Sequence, residues 1–342
     1  MSTAPHRSES AQAQRPTPAS ASALAIEGLD IAFGPLHVVR GISLAVAPGE
    51  THCLVGESGC GKSISALSVL GLLPRQARRQ AGRILFSGTD LTGLAERDLA
   101  RLRGDRLAMI FQEPMTSLNP AYTIGSQMIE VLRRHRGNSR STAVDAAAAM
   151  LARVGITAPE MRLGQFPHQL SGGLRQRVMI AMALLCEPAV LIADEPTTAL
   201  DVTVQAQILH LLADLKRDFG LAVLLITHDL GVVARVADQV SVMYAGEIVE
   251  QAPVASLFAA PSHPYTRGLL ASIPVPGRVR KGETLGSIPG IVPAIRSGFI
   301  GCAFRDRCAE ALPVCAEPVA KREAGPDHIY RCRLSPGWVA TA

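Results

Sequence analysis

The spacing of apolar residues early in the chain predicts a strand, a turn and a helix in immediate succession. Residues 51–55, Thr-His-Cys-Leu-Val, have the pattern of a short strand, and a glycine-rich stretch follows them. From Lys62 onward apolar residues recur at helical spacing, and Pro74 ends that pattern. Two strand-like runs precede this unit, near 24–32 and 38–46. The start of the chain therefore predicts two strands followed by a strand–loop–helix unit.

Helical and buried-strand patterns alternate further along the chain. In order, the pattern predicts a helical stretch over 126–154, a helix over 172–186, a strand over 189–193, a helix over 202–218 and a strand over 221–227. This alternation predicts a mainly parallel α/β core, interrupted by a helical subdomain over about 113–170. After about residue 260 the pattern dissolves into Pro, Gly, Arg and Cys. We therefore predict a disordered tail over 1–22, a core domain over 23–260 and an extension over 261–342.

Composition and charge restrict the classes of protein to which the chain can belong. Of its 342 residues, 48% are apolar and 18% are charged, as in globular proteins with a large core. The net charge of +5 is concentrated in residues 262–342, which hold 11 Lys or Arg and 6 Asp or Glu. Such a segment can face lipid or nucleic acid, and a solvated tail is an equally good interpretation. No apolar run reaches the roughly 20 residues of a membrane span, so we expect a cytosolic chain that meets a membrane only through partners.

One stretch has the complete pattern of a phosphate-binding loop. Its residues are Gly56, Glu57, Ser58, Gly59, Cys60, Gly61, Lys62 and Ser63. The glycines allow backbone N–H groups to point at phosphate oxygens, and the next helix presents its positive end there. We predict that Lys62 reaches the β- and γ-phosphates of a nucleotide and that Ser63 binds Mg²⁺. A ligand-free glycine turn is the alternative, which the flanking strand and helix disfavour.

Cys60 adds a prediction about reactivity. It lies beside a helix N-terminus and two residues from Lys62, and both neighbours are expected to lower the pKa of its thiol. We therefore predict that alkylation of this thiol blocks ATP binding and that ATP protects it.

Polar residues at the ends of apolar runs are candidates for the chemistry. Asp194 and Glu195 end a buried strand, at the edge where ligands bind in open α/β sheets. Asp194 suits Mg²⁺ and Glu195 suits a general base for water, with a helix-capping pair as the alternative. His228 is a candidate for contacting a γ-phosphate or orienting water, and Gln112 carries little information alone. Phe33 is a candidate for stacking on adenine, with burial in the core as the alternative.

Four of the seven cysteines crowd into 31 residues near the C-terminus. They are Cys302, Cys308, Cys315 and Cys332. In a reducing compartment such a group favours a metal over disulfides. Four thiolates suit a [4Fe–4S] cluster and tetrahedral Zn²⁺ equally well.

Taken together and in order, these motifs resemble those of the ATP-binding-cassette ATPases, over about residues 24–335. The matching positions are Phe33 for adenine stacking, 56–63 as the Walker A loop, Gln112 as the Q-loop glutamine, Leu170–Gly173 with Gln176 as the signature motif, Asp194 and Glu195 as the Walker B pair, Asp201 in the D-loop and His228 as the switch histidine. The resemblance implies a P-loop NTPase core with an antiparallel β subdomain and an inserted helical subdomain. It also implies that Gln112 joins Ser63 and Asp194 at Mg²⁺.

In that family two cassettes lie head to tail, and each signature motif caps the ATP bound by the other subunit. Ser171 and the N–H groups of Gly172 and Gly173 would then form a clamp on the partner's γ-phosphate. The resemblance therefore implies a second cassette, identical or different, and an ATPase that works by nucleotide-dependent closure.

Three segments narrow the resemblance to the ATPases of dipeptide and oligopeptide importers: Phe111–Pro120, Glu195–Thr203 and His263–Thr266. The four-cysteine tail is also similar, and some members of that group hold a [4Fe–4S] cluster on these cysteines. The resemblance therefore predicts an iron–sulfur cluster at Cys302, Cys308, Cys315 and Cys332, with Zn²⁺ or no metal as the alternatives. The implied partners are two membrane permease subunits on the cytoplasmic face and, indirectly, a substrate-binding protein, with no nucleic acid. A nickel or other small-solute importer is the alternative substrate class. A soluble, non-transport cassette ATPase and a P-loop kinase are less favoured, the kinase because it has no use for Leu170–Gly173.

Overall fold

A computed structural model describes residues 22–112, 117–198, 200–273 and 286–336 of the chain. Most of the predicted disordered tail lies outside these residues. The strands are β1 (Leu24–Phe33), β2 (Leu36–Val46), β3 (Thr51–Val55), β4 (Ala77–Phe86), β5 (Thr89–Asp90), β6 (Leu107–Ile110), β7 (Val190–Asp194), β8 (Ala222–Thr227), β9 (Gln239–Tyr244), β10 (Glu247–Pro253), β11 (Arg322–Gly325) and β12 (His328–Tyr330). The α-helices are α1 (Lys62–Val69), α2 (Glu96–Leu102), α3 (Ile124–Arg136), α4 (Arg140–Arg153), α5 (Pro159–Leu163), α6 (Gly172–Leu184), α7 (Val202–Phe219), α8 (Leu230–Val236), α9 (Val254–Ala259) and α10 (Pro264–Ala271).

The strands form two sheets. The smaller one is antiparallel, in the order β2-β1-β4-β5. The larger one has the order β11-β12-β10-β9-β3-β8-β7-β6, and its strands β9, β3, β8, β7 and β6 pair in parallel. Every residue of β3, β7 and β8 is buried, which explains why these segments are short continuous apolar runs. The predicted α/β core and antiparallel subdomain are confirmed.

Two apolar cores lie on opposite faces of the large sheet. Alternation along β3 divides its side chains, since Cys53 and Val55 belong to one core and Leu54 to the other. The first core is filled mainly by the helices after β6. The second contains apolar residues of the antiparallel sheet together with Ala66 and Val69 of α1. Helix α1, which follows the glycine-rich loop, is therefore anchored through its buried face.

The long helical stretch predicted over 126–154 is two helices. Helix α3 ends at Gly137, which has a left-handed φ of 65°, and Ser139 caps α4 by accepting a hydrogen bond of 3.2 Å from the Thr142 N–H. A glycine past one helix end followed by a serine cap is a strong break signal, which the alanine-rich pattern of α4 conceals.

The C-terminal extension is joined to the large sheet. Strand β12 pairs with β10, at Glu250 with Tyr330, although the sequence beyond residue 260 predicts no regular elements. Glu250 is almost fully buried and accepts hydrogen bonds from the N–H groups of Ser262 (2.6 Å) and His263 (2.9 Å). His328 Nε2 lies 2.7 Å from the same carboxylate. Burial raises the pKa of Glu250, but these hydrogen bonds outweigh it and the pKa is lowered overall, so a buried carboxylate organises the extension.

His52 makes the stability of the core depend on pH. It is fully buried on β3, with Nδ1 2.9 Å from the Ala45 carbonyl oxygen and Nε2 2.8 Å from Ser241 Oγ. Burial lowers the pKa of His52 from 6.5 to about 4. Between these values the unfolded chain binds a proton that the folded chain does not, so stability falls as pH falls.

We predict that His52 removes about 2 kcal/mol of unfolding free energy between about pH 7 and about pH 5. Urea denaturation at both values measures this, and His52→Gln should have a smaller loss than the wild-type chain. His210→Gln, on the exposed surface of α7, is the matched control and should keep the wild-type loss. Equal losses in His52→Gln and in the wild-type chain would contradict the assignment.

Candidate nucleotide site

The glycine-rich loop is packed so closely that two of its positions require glycine. Gly56 has a φ of 155° and Gly61 a φ of 105°. A Cβ would lie 2.2 Å from the Met243 carbonyl oxygen at Gly56 and 2.3 Å from the Val38 carbonyl oxygen at Gly61. The backbones of β9 and β2 therefore pack directly against the loop, and only glycine fits at these two positions between β3 and α1.

Lys62, the first residue of α1, turns its side chain back over the loop. Its Nζ donates to the carbonyl oxygens of Gly56 (2.7 Å) and Glu57 (3.0 Å), and the residue is only 5% exposed. An ammonium group held inside a ring of backbone groups is positioned to contact a polyphosphate bound to the same loop.

The prediction that the thiol of Cys60 is activated is wrong. Cys60 is 1% exposed and belongs to the core between the two sheets. Burial raises the pKa of this thiol even though the nearby Lys62 acts to lower it. The sequence places Cys60 next to a helix start and a lysine, but only the fold determines that the thiol points inward. We therefore do not expect selective alkylation of Cys60 in the folded protein.

Ser63 and Asp194 bring two hard oxygen donors together at the start of α1. Ser63 Oγ donates to Asp194 Oδ1 over 3.1 Å, although the residues are 131 positions apart. Burial raises the pKa of Asp194, and the hydrogen bond from Ser63 only partly offsets it. A hydroxyl and a buried carboxylate are hard oxygen donors, which Mg²⁺ prefers as ligands, so the residues fit the predicted ion.

Three side chains from different parts of the chain contact Glu195. Its carboxylate accepts hydrogen bonds from Thr198 Oγ1 (2.8 Å) and Gln112 Nε2 (3.2 Å) and lies 3.3 Å from His228 Nδ1. Its own φ is 46°, an unusual value for a glutamate, and its N–H donates to the Ile226 carbonyl oxygen of β8. Burial raises the pKa of Glu195, but the hydrogen bonds from Thr198 and His228 outweigh it and lower the pKa overall. An ionised, oriented carboxylate is the form that a general base requires.

Gln112 and His228 lie beside this carboxylate, and their predicted roles at Mg²⁺ and at the γ-phosphate stay predictions. Gln112 follows β6 and His228 follows β8, and each contacts Glu195. His228 is 56% exposed on its side chain, so it borders solvent. Thr198 is not among the predicted site residues, although its position three residues after Glu195 is a local signal that could have identified it.

The signature segment caps a helix and faces solvent. Ser171 is the N-cap of α6 and accepts a 3.4 Å hydrogen bond from the Leu174 N–H, and Gly172 is exposed. A Cβ on Gly173 would lie 3.2 Å from Val204 Cγ1, so α6 begins close against α7. Among the contacts of the described residues, none joins this segment to the loop of the same chain.

Two further residues predicted to bind nucleotide make intramolecular contacts. Gln176 is buried and donates to the Pro196 carbonyl oxygen over 2.6 Å, linking α6 to the turn after β7. Asp201 caps α7 and accepts from the N–H groups of Thr203 (3.1 Å) and Val204 (2.9 Å). Their roles at a nucleotide stay predictions.

Phe33 ends β1 and is half-buried against the core between the sheets. It pairs with Leu36 across the turn into β2. This placement is compatible with core packing, and adenine stacking stays a prediction.

The four C-terminal cysteines are neighbours. Burial and, to a smaller extent, the nearby thiols of Cys315, Cys332 and Cys308 together raise the pKa of Cys302 to about 11. The Cys302 N–H also donates to the Cys315 carbonyl oxygen over 2.8 Å. Within 22–112, 117–198, 200–273 and 286–336, however, no three His, Cys, Asp or Glu residues are arranged so that they could hold a metal ion. The thiols are gathered as predicted, but the arrangement is not that of a formed metal site, and the iron–sulfur cluster is not supported by it.

The fold and the site together define a P-loop ATPase of the cassette type. The strand–loop–helix unit, the carboxylates after β7 and the exposed segment at the start of α6 all belong to one chain. The pattern described as ABC transporter matches residues 39–198, and the one described as the C-terminal region of oligopeptide/dipeptide transporters matches residues 249–315.

The chain belongs to the ABC transporter family and is an ATPase. It is 54% identical to the probable peptide ABC transporter ATP-binding protein y4tR of Sinorhizobium fredii, over 88% of this chain and 91% of that protein. It is 50% identical to the dipeptide transport ATP-binding protein DppD of Bacillus subtilis, over 85% and 88%. Among solved structures, a dimeric ATP-binding cassette in a post-hydrolysis state with ADP and Pi matches with a TM-score of 0.60 and 26% identity, over 68% of this chain and 98% of that one. In the part of the chain that the structure describes, no helix is long and apolar enough to span a membrane.

We predict that two substitutions separate ATP binding from ATP hydrolysis. Lys62→Ala should lose ATP binding, because it removes the ammonium group that is positioned to contact the phosphates. Glu195→Gln should keep binding and nearly abolish turnover, by at least about a hundredfold, because the amide cannot accept the proton of water. Binding of a fluorescent ATP analogue and release of phosphate measure the two effects. A Glu195→Gln protein that kept most of its turnover would show that another group is the base.

Proposed function

We propose that this chain binds ATP at residues 56–63 and hydrolyses it to power the import of peptides across a membrane. The observation that carries the peptide assignment is the match of residues 249–315 to the C-terminal region of oligopeptide/dipeptide transporters. The similarity to y4tR and DppD, whose names refer to peptide transport, supports it. Cargo is selected outside this chain, so the proposal concerns the source of energy.

The chemistry follows from the edge of the parallel sheet. Lys62 contacts the terminal phosphates, and Ser63 with Asp194 would hold Mg²⁺, which neutralises charge on the phosphates when bound. Glu195 accepts the proton of the attacking water, while Thr198 and His228 keep its carboxylate oriented. The breaking bond is the one between the γ-phosphorus and the bridging oxygen, and ADP and phosphate leave.

A second cassette is part of the proposal, because the signature segment needs a γ-phosphate to cap. Ser171 and Gly172 are exposed at a helix N-terminus, where backbone N–H groups and the helix dipole favour an anion. In the same chain this segment makes no described contact with Lys62 or Ser63. A partner cassette, identical or different, placed head to tail would bring its phosphate loop to this segment.

The membrane partners need a docking surface that is connected to the nucleotide site. An apolar groove beside β6 is a candidate for that docking surface. This β6 groove has a volume of about 250 Å³. Its apolar lining includes Leu70, Leu72, Phe111, Val131, Met179 and Met182. Phe111 is 40% exposed and Leu72 is 39% exposed. Large apolar side chains that are exposed together indicate a surface that binds a partner. Phe111 also directly precedes Gln112, the partner of Glu195, so an occupant would contact the chain one residue from a residue of the site. We propose that a cytoplasmic helix of a permease subunit occupies the β6 groove on the inner face of the membrane.

We predict that Leu72→Glu separates transport from ATP binding. A carboxylate at this position replaces an apolar contact of the β6 groove with a charge that a docked helix must desolvate, so binding of a permease helix should weaken by at least about tenfold. Co-purification of permease subunits from solubilised membranes and uptake of a labelled dipeptide by intact cells should both be lost, while the ATP analogue still binds. Leu312→Glu, an exposed leucine of the extension outside this groove, is the control and should keep all three. Recovery of the chain with ribosomes or DNA instead of permease subunits would contradict the transport function itself.

The metal at the four C-terminal cysteines is also a proposal. It is supported by the proximity of the thiols and by their number, and not by a formed ligand group. Protein purified without oxygen should contain about four irons and about four acid-labile sulfides per chain. Cys315→Ser should lose them, whereas Cys186→Ser, at a buried cysteine outside the extension, should keep them. About one zinc would support the alternative metal, and protein with neither would contradict both.

A further inference from the structure

The phosphate loop contains an acidic residue, which is unfavourable beside a polyphosphate. Glu57 is the second residue of the loop, between Gly56 and Ser58, and its side chain is 31% exposed. A carboxylate at this position would repel the negative charge of ATP unless a cation neutralises it. The structure places such a cation there, and it comes from the far end of the chain.

Arg307 of the C-terminal extension binds Glu57 through two parallel hydrogen bonds. Nη1 donates to Oε2 over 2.8 Å and Nη2 donates to Oε1 over 3.0 Å, across 250 positions of sequence. Paired bonds of this kind combine charge neutralisation with a fixed direction. Only 6% of the Arg307 side chain is exposed, so the pair is shielded on one side.

The guanidinium group is itself held in place by the extension. Arg307 Nε donates to the Pro289 carbonyl oxygen over 2.7 Å, and Nη2 also donates to the Ile288 carbonyl oxygen over 3.2 Å. A further contact of 3.4 Å joins Nη1 to Tyr244 Oη. Because these three groups fix the guanidinium of Arg307, little side-chain entropy is lost when it pairs with the Glu57 carboxylate.

A second residue of the extension contacts the backbone of Glu57. The Glu57 N–H donates to Tyr265 Oη over 2.9 Å, and Tyr265 is fully buried in α10. Its ring centroid lies 4.6 Å from that of Tyr244 and 5.4 Å from that of Phe304. This aromatic cluster joins β9 to the extension, so the hydroxyl that accepts from the loop has a fixed position.

The same glutamate contacts the lysine of the loop. The Glu57 carbonyl oxygen accepts a 3.0 Å hydrogen bond from Lys62 Nζ. Glu57 is thus fixed at its N–H by Tyr265, at its carboxylate by Arg307, and at its carbonyl oxygen by the residue that would contact the phosphates.

We propose that Arg307 and Tyr265 are positioning residues of the nucleotide site, through which the C-terminal extension sets the affinity for ATP. Arg307 neutralises the Glu57 carboxylate and holds it toward the extension. Tyr265 fixes the backbone of Glu57, whose carbonyl oxygen accepts the hydrogen bond from Lys62. The inference rests on the proposed nucleotide site at 56–63. It assigns the extension a role in binding ATP in addition to any metal or partner that it holds, and linkage requires that ATP in turn stabilises the docked extension.

A double-mutant cycle tests the proposal in the full-length chain, with the dissociation constant of a fluorescent ATP analogue and the KM and kcat for ATP as readouts. Arg307→Gln should raise the dissociation constant and the KM by about tenfold at low salt and by less at high salt, with little change in kcat. Glu57→Gln combined with Arg307→Gln should return the dissociation constant to within about threefold of the wild-type value, because the unpaired carboxylate is gone. Tyr265→Phe keeps the ring and removes the acceptor, and should raise the dissociation constant by about threefold.

Arg305→Gln, which makes the same charge change two residues away and has no described contact with the loop, is the control and should bind the analogue as the wild-type chain does. Wild-type affinity in Arg307→Gln would overturn the proposal. The proposal would also be overturned if the double variant bound the analogue as weakly as Arg307→Gln does. That result would mean that the salt bridge is structural and that its loss damages the fold. Lys62→Ala distinguishes the two levels of inference. If it binds the analogue normally, the nucleotide site is wrong, and if it does not bind while Arg307→Gln does, only the role of the extension is wrong.

Discussion

Parallel pairing of β3, β6, β7 and β8 is the constraint on which the functional end of this molecule depends. Val55 is in register with Thr227, and Asp194 with Ile226, so these strands end at one edge of the sheet. Since parallel strands share a direction, every loop after them begins at the same edge. This brings the phosphate loop, the carboxylates after β7 and the residues after β6 and β8 together from positions more than a hundred residues apart. The helices and the second sheet bury the faces of this sheet and leave that edge to the chemistry.

At this edge two adjacent carboxylates have opposite environments. Asp194 has one hydrogen-bond donor, Ser63, and burial raises its pKa. Glu195 has donors from Thr198 and Gln112 and a close histidine, and its pKa is lowered overall despite burial. Carboxyl groups whose pKa values are pushed apart are suited to different tasks. Here burial still raises the pKa of the first despite the charge of Lys62, and it suits a metal ion, while the second is already ionised and oriented and suits proton transfer from water.

The C-terminal extension is integrated with the ATPase core at three levels. Strand β12 extends the large sheet through its pairing with β10, and the buried carboxylate of Glu250 organises the chain around the start of α10. Tyr244, Tyr265 and Phe304 pack their rings together across the junction. Beyond this packing, the pair of Arg307 and Glu57 reaches the phosphate loop itself. An extension held by both apolar and charged contacts is suited to transmit a change in its own state to the nucleotide site.

The sequence by itself determined the strand–loop–helix unit at 51–69, the carboxylates that end β7 and the α/β class of the core, because glycine spacing, apolar runs and helix caps act over a few neighbouring residues. The local pattern was misleading at two places. One helix was predicted across Gly137, where the structure has two helices, and the charges near Cys60 predicted an activated thiol. Only the tertiary structure decided that Cys60 is buried and that Arg307 neutralises Glu57. The burial of a thiol and the partner of a carboxylate depend on elements that are distant in sequence, and no local periodicity encodes which of them will meet.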